Sequence, residues 1–300
     1  MRTRFRPDHR LTTRMVVTMF LLGLVYVAFI AALVVLLDSV IMVVVIAGLF
    51  LGAQYWFSDR IALYAMQARI VTPEEAPELH GIVDRLCATA DMPKPRVAVA
   101  DTDLPNAFAT GRSTRRAVLC VTTGLQRRLD TEELEGVLAH ELSHVAHRDV
   151  VVMTIASFFG VLAGLVARFS FYSTMFGGGG RRGRDGDNTF LLILLVMAVS
   201  AAVYAISFLL IRALSRYREL AADRAGAMLT GRPSALASAL TKVSGEIQRM
   251  PTRDLRAAEA FNAFFFAPAL GSRISLSSLL STHPTLEQRL DQLATLSTQL

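Results

Sequence analysis

Two uncharged apolar runs open the pattern of hydrophobic and polar positions along this chain, at residues 15–37 and 40–57. Each run is long enough to cross a hydrocarbon core of about 30 Å as a helix. Residues 15–57 are therefore predicted to form a transmembrane hairpin. A cleaved signal peptide is the alternative, but the first run is too long for a signal's apolar segment and no small-residue cleavage site follows it.

Basic residues indicate the orientation of this hairpin. Residues 1–14 carry five arginines, whereas the connection at residues 38–39 has no Lys or Arg. Because positive charge is retained on the cytoplasmic side, residues 1–14 are predicted to be a basic cytoplasmic N-terminus. The chain then returns to the cytoplasm after Phe57.

A second pair of apolar runs, residues 150–167 and 190–211, predicts another hairpin over residues 150–211. Its connection holds the arginines Arg168, Arg181, Arg182 and Arg184. A membrane-spanning hairpin would place these arginines outside the cell, which the charge rule disfavours. Two alternatives stay open: a hairpin that spans the bilayer, and one that lies in the interface or packs on the rest of the protein.

The segments between and after the hairpins are polar enough to form a soluble α+β domain outside the membrane. In its first half, residues 58–149, apolar spacing predicts a helix from Pro77, and alternation predicts strands at residues 96–100, 106–110 and 117–122. We expect these strands to form a small antiparallel sheet. Asp130 is predicted to cap the next helix in a capping box with Glu133. Residues 212–300 form the mixed helical second half.

Overall composition agrees with a membrane protein: 53% of residues are hydrophobic, 19% are charged, and mean hydropathy is +0.43. The net charge of +6 could indicate a nucleic-acid binder, but no stretch combines clustered Lys/Arg with regularly spaced aromatics, so no nucleic-acid partner is expected. Cys87 and Cys120 are too few and too far apart for a disulfide framework or a cysteine zinc site.

The motif His140-Glu141-Leu142-Ser143-His144 follows the predicted cap at Asp130. The histidines are four positions apart, so a helix presents both imidazoles on one face, where they can bind one metal ion. Glu141 lies beside them. The pattern is typical of zinc metallopeptidases, in which this glutamate is the general base for the attacking water.

A catalytic zinc requires a third protein ligand and one open position. The candidates are His147, His80, His283 or a carboxylate. His147 shares the helical face of His140 but lies about 10 Å further along the axis, too far to share one ion with it.

Residues Glu219-Leu220-Ala221-Ala222-Asp223 carry a resemblance to a known family. With the His140–His144 motif, the chain resembles the gluzincins, and among them the HtpX-type membrane-bound zinc metallopeptidases related to the CAAX prenyl proteases. The resemblance implies an α-helical integral membrane protein with an α+β zincin-like catalytic domain and one zinc ion per chain. It also implies Glu219 as the third ligand. Asp223 would accept the free imidazole N–H of a ligand histidine, and we expect that histidine to be His140.

Further segments resemble the same family. The segment 105–111 resembles its substrate-binding edge strand, with Asn106, Ala107, Phe108 and Ala109 as substrate-binding residues. Residues 281–284 resemble its C-terminal signature, in which His283 and Arg289 would face the cleft and stabilise the oxyanion of the reaction. Residues 147–149 resemble the continuation of the zinc helix, although they could equally be polar anchors at the membrane boundary.

The resemblance implies an endopeptidase of the cell membrane, multi-pass, with its N-terminus and catalytic domain in the cytoplasm. Its substrates would be membrane or misfolded polypeptides, and it would lie in contact with the lipid bilayer. Its role would be protein quality control. A prenyl-protein peptidase of the CAAX type and a catalytically silent, zinc-stabilised membrane scaffold are the alternatives. The sequence leaves the oligomeric state open.

Overall fold

A computed structural model describes residues 9–36, 66–111, 113–149, 184–249 and 283–300, with isolated positions between 45 and 64 and between 152 and 166. The helices are α1 (His9–Leu36), α2 (Pro77–Ala90), α3 (Thr123–Arg128), α4 (Thr131–Ala146), α5 (Arg184–Thr230), α6 (Pro233–Arg249) and α7 (Leu286–Ser297). The strands are β1 (Arg69–Ile70), β2 (Arg96–Ala100), β3 (Ala107–Thr110) and β4 (Val118–Thr122). Most of the runs 40–57 and 150–167 and residues 281–282 lie outside the described residues, so the expectations for them stay predictions.

The four described strands form one sheet in the order β1-β2-β4-β3. β3 pairs with β4 in the expected antiparallel sense, and β1, a strand that the sequence did not predict, pairs antiparallel with β2. β2 and β4, however, run parallel, with Val97 opposite Leu119. The sheet is therefore mixed rather than antiparallel throughout, because β4 inserts between β2 and β3 instead of extending a simple meander. β3 is left as an edge strand.

Local sequence signals set the ends of the helices. Pro77 occupies the first turn of α2, as predicted, where its missing N–H leaves no bond unmade. Asp130 caps α4 and forms the predicted capping box with Glu133. A second capping box, between Thr285 and Gln288, opens α7. The Asp130 cap determines where the helix that carries His140 and His144 begins.

The main hydrophobic core lies between one face of the sheet and helices α2, α4, α6 and α7. It includes Leu86, Leu119, Leu138, Leu240 and Leu293, all at most 3% exposed. The opposite sheet face has a smaller cluster around Phe108 and Cys120. Every residue of β4 is buried because both of its faces are covered. The sheet and α4 thus form a rigid base for the residues of the motif.

The chain divides into two compact units. The first comprises Met1–Thr13, Trp56–Val151 and Ser215–Leu300, and the second comprises Arg14–Tyr55 and Val152–Leu214. Two helical segments, Leu11–Ala32 and Ile193–Thr230, are long and apolar enough to cross a membrane. Only 22% of the most apolar window in each is buried, and side chains such as Phe20 and Val27 are more than 60% exposed. A helix in the core of a soluble protein would be mostly buried.

Candidate metal centre

Three side chains converge on one point within the first unit. The Nε2 atoms of His140 and His144 lie 3.2 Å apart. Glu219 on α5 places Oε2 3.7 Å from His140 Nε2 and Oε1 3.5 Å from His144 Nε2. Ligands bound at about 2.1 Å around a tetrahedral zinc ion are separated by about 3.4 Å. The two imidazole nitrogens and the Glu219 carboxylate therefore have spacings close to those that zinc requires, and the three side chains form a group able to hold a metal ion.

Asp223 supports the first of these histidines. Its Oδ1 lies 2.8 Å from His140 Nδ1, which is the contact expected from the sequence. Asp223 lies four positions after Glu219, so both side chains project from the same face of α5. A carboxylate at Nδ1 holds the proton there and leaves the Nε2 lone pair directed at the metal position.

The metal-free site also holds a proton tightly. Burial alone would lower the pKa of His140, but hydrogen bonds to Asp223 and Glu219 raise that pKa to about 9. A metal ion must therefore displace a proton from this imidazole at neutral pH.

Close contact between α4 and α5 brings the ligands together, and Gly226 permits it. A Cβ atom at Gly226 would lie 2.9 Å from the backbone nitrogen of His140 and 3.2 Å from the carbonyl carbon of Ala139. The first distance is one that real Cβ atoms essentially never show, and the second is tighter than nine in ten real Cβ contacts. The missing side chain therefore lets the helix bearing Glu219 approach the helix bearing His140.

Glu141, the expected general base, is only 5% exposed. Its Oε2 accepts a hydrogen bond of 3.1 Å from the backbone N–H of Ala109 on β3. Burial raises the pKa of this carboxyl, while His140 and His144 lower it in part. The strand thus fixes the carboxylate beside the two histidines and partly desolvates it.

Backbone alternation explains how β3 reaches Glu141. Thr122 N–H donates to Asn106 O (2.9 Å), so Asn106 faces β4 as a hydrogen-bonded pair with Thr122. The backbone groups of Ala107 and Ala109 consequently point away from β4, toward the free edge. β3 is the edge strand that the sequence predicts, but Asn106, Ala107 and Phe108 are buried and only Ala109 is partly exposed.

The two C-terminal candidates take different places. His283 is 5% exposed, and its Nδ1 lies 3.2 Å from Glu219 Oε2, next to the metal position. Arg289 does not face the cleft. Its guanidinium is buried and donates from Nε and Nη2 to the two Asp223 oxygens at 2.7 and 2.6 Å. The expectation of direct oxyanion contact by Arg289 is corrected, because this bidentate pair directs the guanidinium at Asp223.

The structure adds two residues that the sequence did not assign to the site. Asp149 Oδ2 lies 2.6 Å from His144 Nδ1, and Arg218 Nη2 lies 2.8 Å from the same oxygen. The available signal was the family-like segment 147–149. Helical spacing could not select Asp149, because a position five residues after His144 points about 140° away on a continuous helix.

Known proteins resemble this chain over most of its length. The sequence model of Peptidase family M48 matches residues 73–297. The chain is 67% identical over 300 residues to "Protease HtpX homolog 1" of Streptomyces coelicolor, covering 100% of this chain and 97% of that protein. It is 53% identical to "Protease HtpX homolog" of Moorella thermoacetica, covering 100% of this chain and 99% of that protein.

A solved structure shows the same fold. The crystal structure of S. mikatae Ste24p aligns with a TM-score of 0.55 at 19% identity, covering 95% of this chain and 67% of that chain. The family match includes all three converging ligands, the Glu141 position and the C-terminal helix α7. On this sequence match, and with a site whose geometry suits a metal, the chain belongs to peptidase family M48 and is a membrane metallopeptidase.

Proposed function

We propose that this protein is a zinc-dependent endopeptidase that cleaves membrane or misfolded proteins at the cytoplasmic face of the cell membrane, in protein quality control. The observation that carries the proposal is the tetrahedral spacing of His140, His144 and Glu219 next to the buried carboxyl of Glu141. The relatives named HtpX protease support the reaction class.

The number of ligands favours catalysis over a structural zinc. Among the described residues, the group of His, Cys, Asp and Glu side chains able to hold an ion comprises only His140, His144 and Glu219. Structural zinc sites are usually closed by four protein ligands, whereas catalytic sites have three and an open position. A silent zinc-stabilised scaffold would require a fourth ligand.

The residues around the metal position suit peptide hydrolysis. Zinc, when bound, would lower the pKa of water and polarise the scissile carbonyl. Glu141 accepts a proton from the attacking water as the water oxygen bonds to the carbonyl carbon, and it then delivers that proton to the amide nitrogen as the C–N bond breaks. His283 lies beside Glu219, where it would donate to the oxyanion.

The substrate backbone would be held by β3. The backbone groups of Ala107 and the Ala109 carbonyl face the free edge of the sheet, so an extended peptide could pair there as an added strand while the Ala109 N–H donates to Glu141. Binding through main-chain hydrogen bonds makes few demands on side chains, which suits a peptidase with diverse unfolded substrates. Ala109 would also couple the strand to the general base, since its N–H contacts Glu141.

Membrane association and orientation complete the proposal. The helical segments Leu11–Ala32 and Ile193–Thr230 each contain an apolar window that supports insertion, and the arginines of residues 1–14 favour a cytoplasmic N-terminus. Labelling of a Gly179→Cys variant in intact cells with a membrane-impermeant maleimide tests whether residues 150–211 span the bilayer. Label from outside requires two spans, and protection favours a hairpin that lies in the interface or packs on the rest of the protein. Background is low because Cys87 and Cys120 are buried.

The test of the enzymatic proposal is the Glu141→Gln variant, assayed for bound zinc and for cleavage of an unlipidated membrane-protein reporter. Since Gln keeps the size of Glu but cannot accept the proton, zinc content should match the parent while cleavage falls by at least about 100-fold. Glu132→Gln, on the exposed face of α4, is the matched control and should cleave normally. Undiminished cleavage by Glu141→Gln would contradict the proposal, and cleavage restricted to a farnesylated peptide would favour the prenyl-protein alternative.

A further inference from the structure

Each metal-binding histidine in this site contacts an aspartate, and each aspartate contacts an arginine. On one side the chain of contacts runs from His140 to Asp223 and Arg289. On the other it runs from His144 to Asp149 and Arg218. We propose that Asp149, held by Arg218, is a positioning residue that orients His144 toward the metal. The inference rests on the zinc site of the proposed function.

Burial gives the second contact chain its strength. Asp149 is 4% exposed and Arg218 is 8% exposed, so both charges are largely removed from water. Two buried charges of opposite sign, hydrogen-bonded at 2.8 Å, stay where the backbone places them because separating them would leave each without a partner. The Asp149 carboxylate is thus retained as an anion at His144 Nδ1, where it fixes the tautomer that directs Nε2 at the metal.

A break in the helix makes this contact possible. α4 ends at Ala146, and Arg148 then adopts the left-handed conformation with φ of 56°. A continuous helix would direct residue 149 about 140° away from residue 144. The left-handed turn instead folds Asp149 back against the imidazole. The left-handed backbone at Arg148 therefore brings Asp149 into contact with the ligand His144.

Arg218 extends the contact to the second ligand-bearing helix. It directly precedes Glu219 on α5, so the Asp149–Arg218 pair ties the end of α4 to α5 beside the third ligand. Loss of the pair should disturb the orientation of His144 and the approach of Glu219 together. This predicts a defect in metal binding itself, over and above any loss of fold stability.

The experiment compares Zn²⁺ affinity, by chelator competition, in the full-length parent, Asp149→Asn and Arg218→Gln in detergent. Loss of an orienting carboxylate typically weakens zinc binding about 10- to 100-fold, which is the expected increase in Kd for Asp149→Asn. Arg218→Gln should weaken binding by a smaller factor, since the carboxylate remains. Asp291→Asn, an exposed aspartate on α7, is the control and should bind as the parent does.

Two further measurements separate positioning from stability. The visible d–d absorption of the Co²⁺-loaded protein reports ligand geometry and should change in Asp149→Asn but not in Asp291→Asn. Unfolding of the metal-free proteins measures the structural contribution alone. If Asp149→Asn cannot be obtained folded, Arg218→Gln decides the question by the same readouts.

The outcomes distinguish this inference from the proposed function. A parent that binds no zinc overturns the proposed function. A parent that binds zinc, together with an Asp149→Asn variant whose Kd and Co²⁺ spectrum match the parent, overturns only the role of Asp149. Weaker binding and an altered spectrum in Asp149→Asn, with a normal Asp291→Asn control, support it. Where Asp149→Asn cannot be obtained folded, the same two outcomes are read from Arg218→Gln.

Discussion

Replacement of Gly226 by Ala tests how closely α4 and α5 must approach to build the site. The new Cβ would lie 2.9 Å from His140 N and 3.1 Å from His140 Cα, whereas ordinary contact begins near 3.4 Å. One helix backbone must therefore move by about 0.5 Å, since neither neighbouring atom belongs to a flexible side chain. Such overpacking costs about 1–3 kcal/mol. The helix preference of Ala over Gly offsets about 1 kcal/mol of that cost.

The position of the clash makes the consequence specific. A shift of about 0.5 Å at His140 exceeds the roughly 0.2 Å tolerance of metal–ligand distances. We therefore expect Gly226→Ala to lower the unfolding free energy by up to about 2 kcal/mol and to raise the Kd for zinc at least about tenfold.

Thermal or denaturant unfolding and chelator competition measure the two effects. Gly81→Ala on α2 is the matched control, because a Cβ there meets nothing within 4 Å. It should stabilise the protein by up to about 1 kcal/mol and leave zinc affinity unchanged. If Gly226→Ala were as stable as Gly81→Ala and bound zinc as the parent does, the close approach of the two helices would not control the site.

Three further predictions concern the two cysteines, His140 and Arg148. Burial raises the pKa of the Cys87 thiol to about 11 and that of the Cys120 thiol to about 12. Iodoacetamide at pH 8 should therefore modify both thiols only as the protein unfolds. Rapid labelling of the native protein, detected by mass spectrometry, would contradict this prediction. In metal-free protein, the His140 pKa is raised from 6.5 to about 9, so its contribution to stability is complete below pH 6.5 and is lost as pH rises through about 9. Unfolding in EDTA should show this decline in the parent and a smaller one in His140→Asn, and equal profiles would refute it. The unfolding free energy of Arg148→Gly should exceed that of Arg148→Val by about 1–2 kcal/mol, because glycine adopts a φ of 56° without strain and valine does not. Equal melting temperatures of the two variants would show that the turn relaxes freely.

Local sequence signals predicted the elements on which the site is built. Pro77 and the Asp130–Glu133 capping box correctly placed the starts of two helices, because caps act within a single turn. The spacing of His140 and His144 was enough to place both imidazoles on one helical face. The positions of β2, β3 and β4 were also predicted, but β1 and the parallel pairing of β2 with β4 were not: pairing depends on where β4 inserts, and no residue within a strand encodes that neighbour.

The sequence by itself determined the two-histidine motif, the caps of its helix and the apolar runs suited to a membrane, because each depends on residues close together in the chain. Resemblance to a family supplied Glu219 and Asp223. Only the tertiary structure decided that Arg289 binds Asp223 rather than facing the cleft, and that Asp149 contacts His144. The physical reason is that both contacts depend on backbone geometry that helical spacing cannot predict. The Asp149 contact requires the helix-breaking turn at Arg148, and the Arg289 contact requires the packing of a helix that is distant in sequence.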